Sequence, residues 1–366
     1  SIIFLFFSTL LLIYIFYLSE IGNLGVRRTY FLNYYYISFI LIFLSIISFF
    51  INKETKYKII LVLVFTIFGL YIVEFFLQKT IFSFEKKIDE LNVQNDNRTI
   101  AEVYYDEKQS GADVAVVIPP EKFLRLKDIE LRPLAGISNR KTIHCNENGY
   151  YSIYESDKYG FNNPNGEWNK EKIEFLLIGD SFTHGSCVNE PDTIGGNLRK
   201  KVKNKGVLNL GQEGSGPLIE YATLREYFSL NNTKRVIWIY FINDLANLKL
   251  ELTDNTLISY LNDQNYSQNL HLRQKELDDF LEKKLLEAYL SNLNTKIVLE
   301  SKFDFKKFIK LTNIRIVTIE AFFRNYENLE SFSEIINLSR NLVQKNGESK
   351  FYFVYVPESL RYSIPT

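Results

Sequence analysis

Three apolar runs in the first eighty residues limit the fold of this chain more than anything else in it: residues 2–18, about 31–51 and about 59–77. The second and third have the roughly 20-residue length that crosses a hydrocarbon core. The first is shorter because the chain opens inside it, on Ser1. In lipid a spanning segment must pair its own backbone N–H and C=O groups, so each run is expected to be a helix. A cleaved signal peptide is a poor account of three runs. Tyr34, Tyr35, Tyr36 and Tyr57 sit at run ends, where amphipathic rings favour the interface. A lipid bilayer is therefore the first expected partner. Glu74, the one acidic or basic residue inside the runs, lies near the end of the third and can reach the headgroups. A proton relay is the sharper alternative for it.

The remainder is polar. Lys plus Arg and Asp plus Glu both number 43, a net charge of zero, which leaves no electrostatic footprint for nucleic acid. The orientation signals conflict. Lys53, Lys56 and Lys58 fill one short loop, while Arg27, Arg28, Lys79, Lys86 and Lys87 fall on the other side. That count leans, if at all, toward a cytoplasmic soluble part. The only cysteines, Cys145 and Cys187, both lie in the soluble part. A bridge between them would need an oxidising compartment; two unpaired buried thiols are the other reading. The chain lacks Met and closes on Ser363-Ile364-Pro365-Thr366 just after an apolar run. It is expected to be a fragment.

Four regions follow. Residues 1–82 are the transmembrane region. Residues 83–127 read as a polar stalk with one docked strand near residues 114–118, before Pro119-Pro120. Residues 128–170 form a small aromatic-rich lobe, where alternation around Tyr150 to Tyr154 between Asn148-Gly149 and Asp157 predicts a β-hairpin. From residue 171 strands and helices alternate. Strands are expected at 174–178, 206–210, 235–241 and 350–356, with helices at 192–203, 218–230 and 329–345. A mostly helical stretch at 244–310 includes a charged amphipathic part at 272–290, and 313–319 is ambiguous. This rhythm means an α/β fold with a parallel sheet covered on both faces.

Three strand ends carry the chemistry. FLLIGDSFTHGSCV, residues 175–188, is a strand that breaks at Gly179-Asp180-Ser181 into a helix. VLNLGQEGSGP, residues 207–217, is a strand followed by a glycine-rich loop that lets backbone N–H groups approach a ligand. VIWIYFINDL, residues 236–245, is a strand ending in Asn243-Asp244. Parallel strands put all three ends on one edge, so Ser181, Gly214 and Asn243 can share a crevice. A Ser181 hydroxyl attacking an acyl carbon would place negative charge on its oxygen. The Ser181 N–H, the Gly214 N–H and the Asn243 carboxamide would hold that charge. The plain alternative makes Gly214 a turn residue and Asn243 a helix cap.

IGDSFTHG, NLGQEGSGP and FIND in this order resemble the SGNH (GDSL-type) hydrolase family over about residues 173–366. The resemblance implies a flavodoxin-like three-layer α/β/α sandwich, with Ser181 as nucleophile and Gly214 and Asn243 as oxyanion donors. It implies an esterase or O-acyltransferase working through an acyl-enzyme, with no cofactor and no metal. The segment DKYGFNNP is similar to one found just upstream in membrane-attached members. For a membrane-anchored member the expected substrate is an acylated glycan or lipid of the cell envelope, and the expected place is a bacterial inner membrane with the soluble part outside the cytoplasm. The family's Asp-x-x-His block has no match here and is expected beyond Thr366. Of the three histidines, His144 lies in the aromatic lobe and His271 in the helical insertion; His184, one turn after Ser181, is expected at the rim. None is expected to be the base, and Asp180 is expected to accept backbone N–H groups. Two other readings stay open: a non-catalytic SGNH-like binding or scaffold module, and an acyl-donor channel built from the spans.

Overall fold

A computed structural model describes residues 1–22, 28–89, 96–126, 129–202, 204–283, 305–315, 318, 328–345 and 347–357. The chain divides into two compact units. One holds residues 1–84 and 302–323, the other residues 85–301 and 324–366.

The first unit contains helices α1 (Ile2–Phe16), α2 (Arg28–Phe50) and α3 (Lys53–Asp89). They include three stretches long and apolar enough to cross a membrane: Ile2–Ile21, Phe31–Phe50 and Lys53–Lys79. α1 and α2 pack together. The Asn52 side chain caps α3 by accepting from the Thr55 N–H at 2.8 Å. Phe43 and Phe65 are more than 60 % exposed, which a helix surface tolerates when its solvent is lipid. Glu74 is fully buried, with its carboxylate held by Asn313 and Ile314.

The second unit carries two sheets. In the smaller, β1 (Val114–Val116) pairs parallel with β2 (Lys141–Ile143), and β2 pairs antiparallel with β3 (Ile153–Glu155). The β2–β3 pair is the hairpin of the aromatic lobe. Helix α4 (Ile100–Gln109) covers it, started by a reciprocal cap in which Thr99 Oγ1 accepts from the Glu102 N–H and Glu102 Oε2 from the Thr99 N–H. Ala101, Val103 and Tyr104 then bury against Val114, Val116, Phe123 and Ile143. Residues 96–126 are thus a folded part of the lobe; the Thr99-x-x-Glu102 signal within a polar stretch marks where its helix begins.

The larger sheet has the order β5-β4-β6-β7, all parallel: β4 (Ile173–Gly179), β5 (Gly206–Asn209), β6 (Thr233–Tyr240) and β7 (Lys350–Tyr355). Its strands lie within a few residues of their expected places. β4 is almost wholly buried, as its apolar run from Phe175 to Ile178 requires of a strand covered on both faces. The chain leaves β4 toward β5 and returns to β6 on the other side. The order therefore reverses at β4, and the carboxyl ends there flank the crevice where such sheets place ligands.

Helix α5 (Ser181–His184) and α6 (Ile194–Val202) connect β4 to β5, and α7 (Pro217–Tyr227) connects β5 to β6. Pro217 opens α7, where the missing N–H is no loss. Ten of its eleven residues are buried, so it is a core helix. Beyond β6 come α8 (Asp244–Glu251), α9 (Asn255–Asn262) and α10 (Gln274–Leu281). Glu226 on α7 ties this insertion down, accepting from Tyr260 Oη, Ser267 Oγ and the N–H groups of Gln268 and Leu270. The rest of the expected amphipathic part, residues 284–290, lies outside the described residues. In the ambiguous 313–319 stretch, residues 313–315 are helical. A helix at Leu329–Gln344 precedes the edge strand β7.

Candidate active site at the edge of the parallel sheet

Gly179 ends β4 where the sheet meets the start of α5. A Cβ there would lie 2.5 Å from the Ile239 carbonyl oxygen and 2.2 Å from Thr183 Oγ1. Only glycine lets the strand turn so close to β6. Asp180 then caps α5, its Oδ1 accepting from the Phe182 N–H at 3.0 Å. Ser181 follows as the first helical residue, with its hydroxyl donating to Asp180 Oδ2 at 3.3 Å.

Asn243, between β6 and α8, directs its side-chain amide to the same Asp180 Oδ2 at 3.4 Å. Two of the three expected site residues therefore meet at one carboxylate oxygen from the ends of adjacent strands. Gly214 joins them indirectly. Its carbonyl accepts from Asn247 Nδ2 at 3.4 Å, and Asn247 stands one helical turn after Asn243. Gly214 is in the left-handed region (φ +75°), and a Cβ would lie 2.9 Å from both Pro119 Cβ and Glu121 Cγ. Its N–H has no acceptor among the described residues. The structure gives no direct contact between Gly214 and Ser181.

Ser181 and Gly214 are half-buried and Asn243 is exposed, so the group lies on an open edge. Phe182 and Phe241 pack 4.5 Å apart, centroid to centroid, beside it. Phe182 is 45 % exposed and offers an apolar shelf next to the serine. The sequence reading missed these two rings, although each stands within two residues of a site residue.

The described histidines do not reach Ser181. His184 is fully buried and does not lie at the rim: its Nδ1 accepts from the Glu213 N–H at 3.2 Å and its Nε2 meets Tyr154 Oη at 3.0 Å. Burial, reinforced by the neighbouring His144, holds it well below the usual imidazole range, so it is neutral with both nitrogens occupied. His144 stacks on it at 4.4 Å. His144 Nε2 meets Glu213 Oε2 at 2.7 Å and Ser186 Oγ at 3.3 Å. Both partners use the same nitrogen, so the trio is no Ser-His-carboxylate relay, which needs the acid and the serine on opposite nitrogens.

Cys145 and Cys187 form a disulfide with their Cα atoms 4.8 Å apart, which closes the question left open above. The bridge joins the lobe to the turn after α5. His144, Cys145 and Glu213 crowd together, but a bridged sulfur is no thiolate ligand, and the remaining pair makes a poor metal site.

Behind Asp180 lies a set of buried acids. Asp244 accepts from the Phe241 N–H at 3.0 Å. Glu251 accepts from the N–H groups of Gly216 and Leu218 and so anchors the start of α7. Glu220 on α7 is likewise buried, beside Trp238. Burial, and then the Asp180 charge, push Asp244 up to about 9. Burial raises Glu251 to about 7 despite its N–H partners, and raises Glu220 well above the usual carboxylate range. The folded state thus keeps protons that the unfolded chain releases near pH 4, so stability falls as pH climbs from about 4 toward 9. His184 opposes this only on acidification below its unfolded value, near 6.5. Chemical denaturation is expected to show the second unit about 2–4 kcal/mol more stable at pH 6 than at pH 9. Asp244→Asn should flatten that slope; an unchanged slope would mean the protons are held elsewhere.

No protein-family model and no curated protein matches this chain.

Proposed function

We propose that this protein is a membrane-anchored serine esterase or O-acyltransferase of the SGNH type, acting on an ester-linked acyl group of a cell-envelope glycan or lipid. The observation that carries the reading is the meeting of Ser181 Oγ and Asn243 Nδ2 on Asp180 Oδ2. It supports a common site for two motifs far apart in sequence, with Gly214 tied to the same helix. The strand order β5-β4-β6-β7 agrees with the flavodoxin-like sandwich that the family uses.

In this scheme Ser181 Oγ bonds to the acyl carbon and its proton passes to a base. The oxygen that takes the negative charge is held by the Ser181 and Gly214 N–H groups and the Asn243 amide, donors that usually supply the largest single catalytic contribution. The ester C–O bond then breaks and the alcohol leaves with the proton. Water releases the acyl group as an acid in an esterase, and a glycan hydroxyl takes it in a transferase. In the SGNH family that base is the histidine of an Asp-x-x-His block. The Cys145–Cys187 bridge favours an oxidising, extracytoplasmic location.

Asn243→Ala in the full-length protein is expected to lower kcat for an acetyl ester by about 10²–10³-fold with little change in KM. A change in KM alone would remove Asn243 from the oxyanion site. One observation favours a second reading, a non-catalytic glycan-binding module: among the described residues no histidine reaches Ser181. That reading expects no turnover to depend on Ser181.

A further inference from the structure

Residues 305–315 lie more than two hundred positions beyond the third span, yet they pack on it and share its compact unit. Glu74 accepts from the Asn313 N–H at 3.0 Å, from Asn313 Nδ2 at 2.9 Å and from the Ile314 N–H at 2.8 Å. A carboxylate in a spanning helix is costly unless paired, and here the start of a helical turn pairs it. Tyr71, one turn before Glu74, donates its hydroxyl to the Ile309 carbonyl at 3.1 Å, and its ring lies 5.2 Å from that of Phe308. Glu74 stands five residues before Lys79, the end of the span. That is about 7.5 Å along the axis, which puts the contact near one membrane surface.

The short helix Phe305–Ile309 and the residues after it read FKKFIKL. Phe305, Phe308 and Ile309 recur at the spacing of one helix face, with Lys306, Lys307 and Lys310 between them. Phe308 is taken up by Tyr71, while Phe305 remains 64 % and Ile309 52 % exposed. Beside them runs an open apolar groove of about 310 Å³, lined by Phe68, Tyr71, Ile72, Phe75, Phe76 and Phe308.

We infer that residues 305–315 are a membrane-surface element that lies in the phospholipid interface alongside the third span. Phe305 and Ile309 enter the acyl region, lipid chains fill the groove, and Lys310 meets headgroup phosphates. The occupant is phospholipid because the element is seated on a membrane-spanning helix near its end, and its alternating aromatic and cationic residues match that interface. The chain therefore touches the bilayer a second time, far in sequence from its N-terminal spans. This holds whether or not Ser181 is a nucleophile.

The test uses the oxidised full-length protein in vesicles of phosphatidylcholine and phosphatidylglycerol. Phe305→Cys and Ile309→Cys are each labelled with an environment-sensitive nitrobenzoxadiazole dye, with Tyr105→Cys as the exposed control in the other unit. Blue-shifted emission at 305 and 309, quenched roughly twofold by brominated acyl chains, is expected, with neither effect at 105. Water-like emission overturns the inference, and so does a blue shift without quenching, which would mean that a second copy of the chain covers the site. Glu74→Ala should speed tryptic cleavage at Lys306, Lys307 and Lys310 about tenfold by releasing the element, and Glu74→Gln should do so less. Unchanged cleavage in Glu74→Ala, with circular dichroism and thermal unfolding unaltered as the folding control, also overturns it.

Discussion

Ser181→Ala in the full-length protein is expected to abolish both labelling by a serine-reactive fluorophosphonate and turnover of acyl esters. Removing a nucleophile eliminates the acyl-enzyme itself, so the residual rate should fall by about 10³-fold or more, to what binding and the oxyanion donors supply alone. The fold should survive. Ser181 is half-buried, and its hydroxyl makes one long contact, to Asp180 at 3.3 Å. Asp180 keeps its cap on α5 through the Phe182 N–H. Loss of labelling with unchanged thermal unfolding is therefore the expected pair of results. Persistent labelling would move the nucleophile elsewhere, and Ser186, beside His144, would be the next residue to replace.

Replacing both Cys145 and Cys187 by serine is expected to cost the second unit about 4 kcal/mol, since the bridge closes a loop of 42 residues and frees the unfolded chain when cut. The loss should be felt at the interface between the lobe and the sheet. There the bridge works beside Asn148 Nδ2 donating to the Cys187 carbonyl, Asn162 Nδ2 to that of His184 and Asn163 Nδ2 to that of Asn209. The buried His144–His184 stack lies against the same bridge. Equilibrium urea unfolding of the oxidised protein against the double variant measures the difference. A change below about 1 kcal/mol would show that these side-chain contacts, and not chain entropy, hold the lobe in place.

Much of this architecture was legible because it rests on local periodicity. Apolar runs of spanning length fix helices in lipid, and four short β-rich runs separated by helical stretches fix a parallel sheet. Glycines mark where its strands stop. The reading failed where a signal was short or where partners are distant. The Thr99–Glu102 cap passed for linker. The partner of Glu74 could not be read because it lies 239 positions away. His184 passed for a rim residue because its burial depends on Tyr154 and Glu213, from two other segments.

By itself the sequence determined the elements, their order and which residue types end the strands, since each of these follows from chain-neighbour sterics and from matching side chains to solvent. Tertiary structure alone decided that Ser181 and Asn243 converge on one Asp180 oxygen, that the two cysteines bond, and that a late segment returns to the third span. Those are distances between groups remote along the chain. Hydrophobic spacing specifies which face a residue takes but not which distant residue it meets.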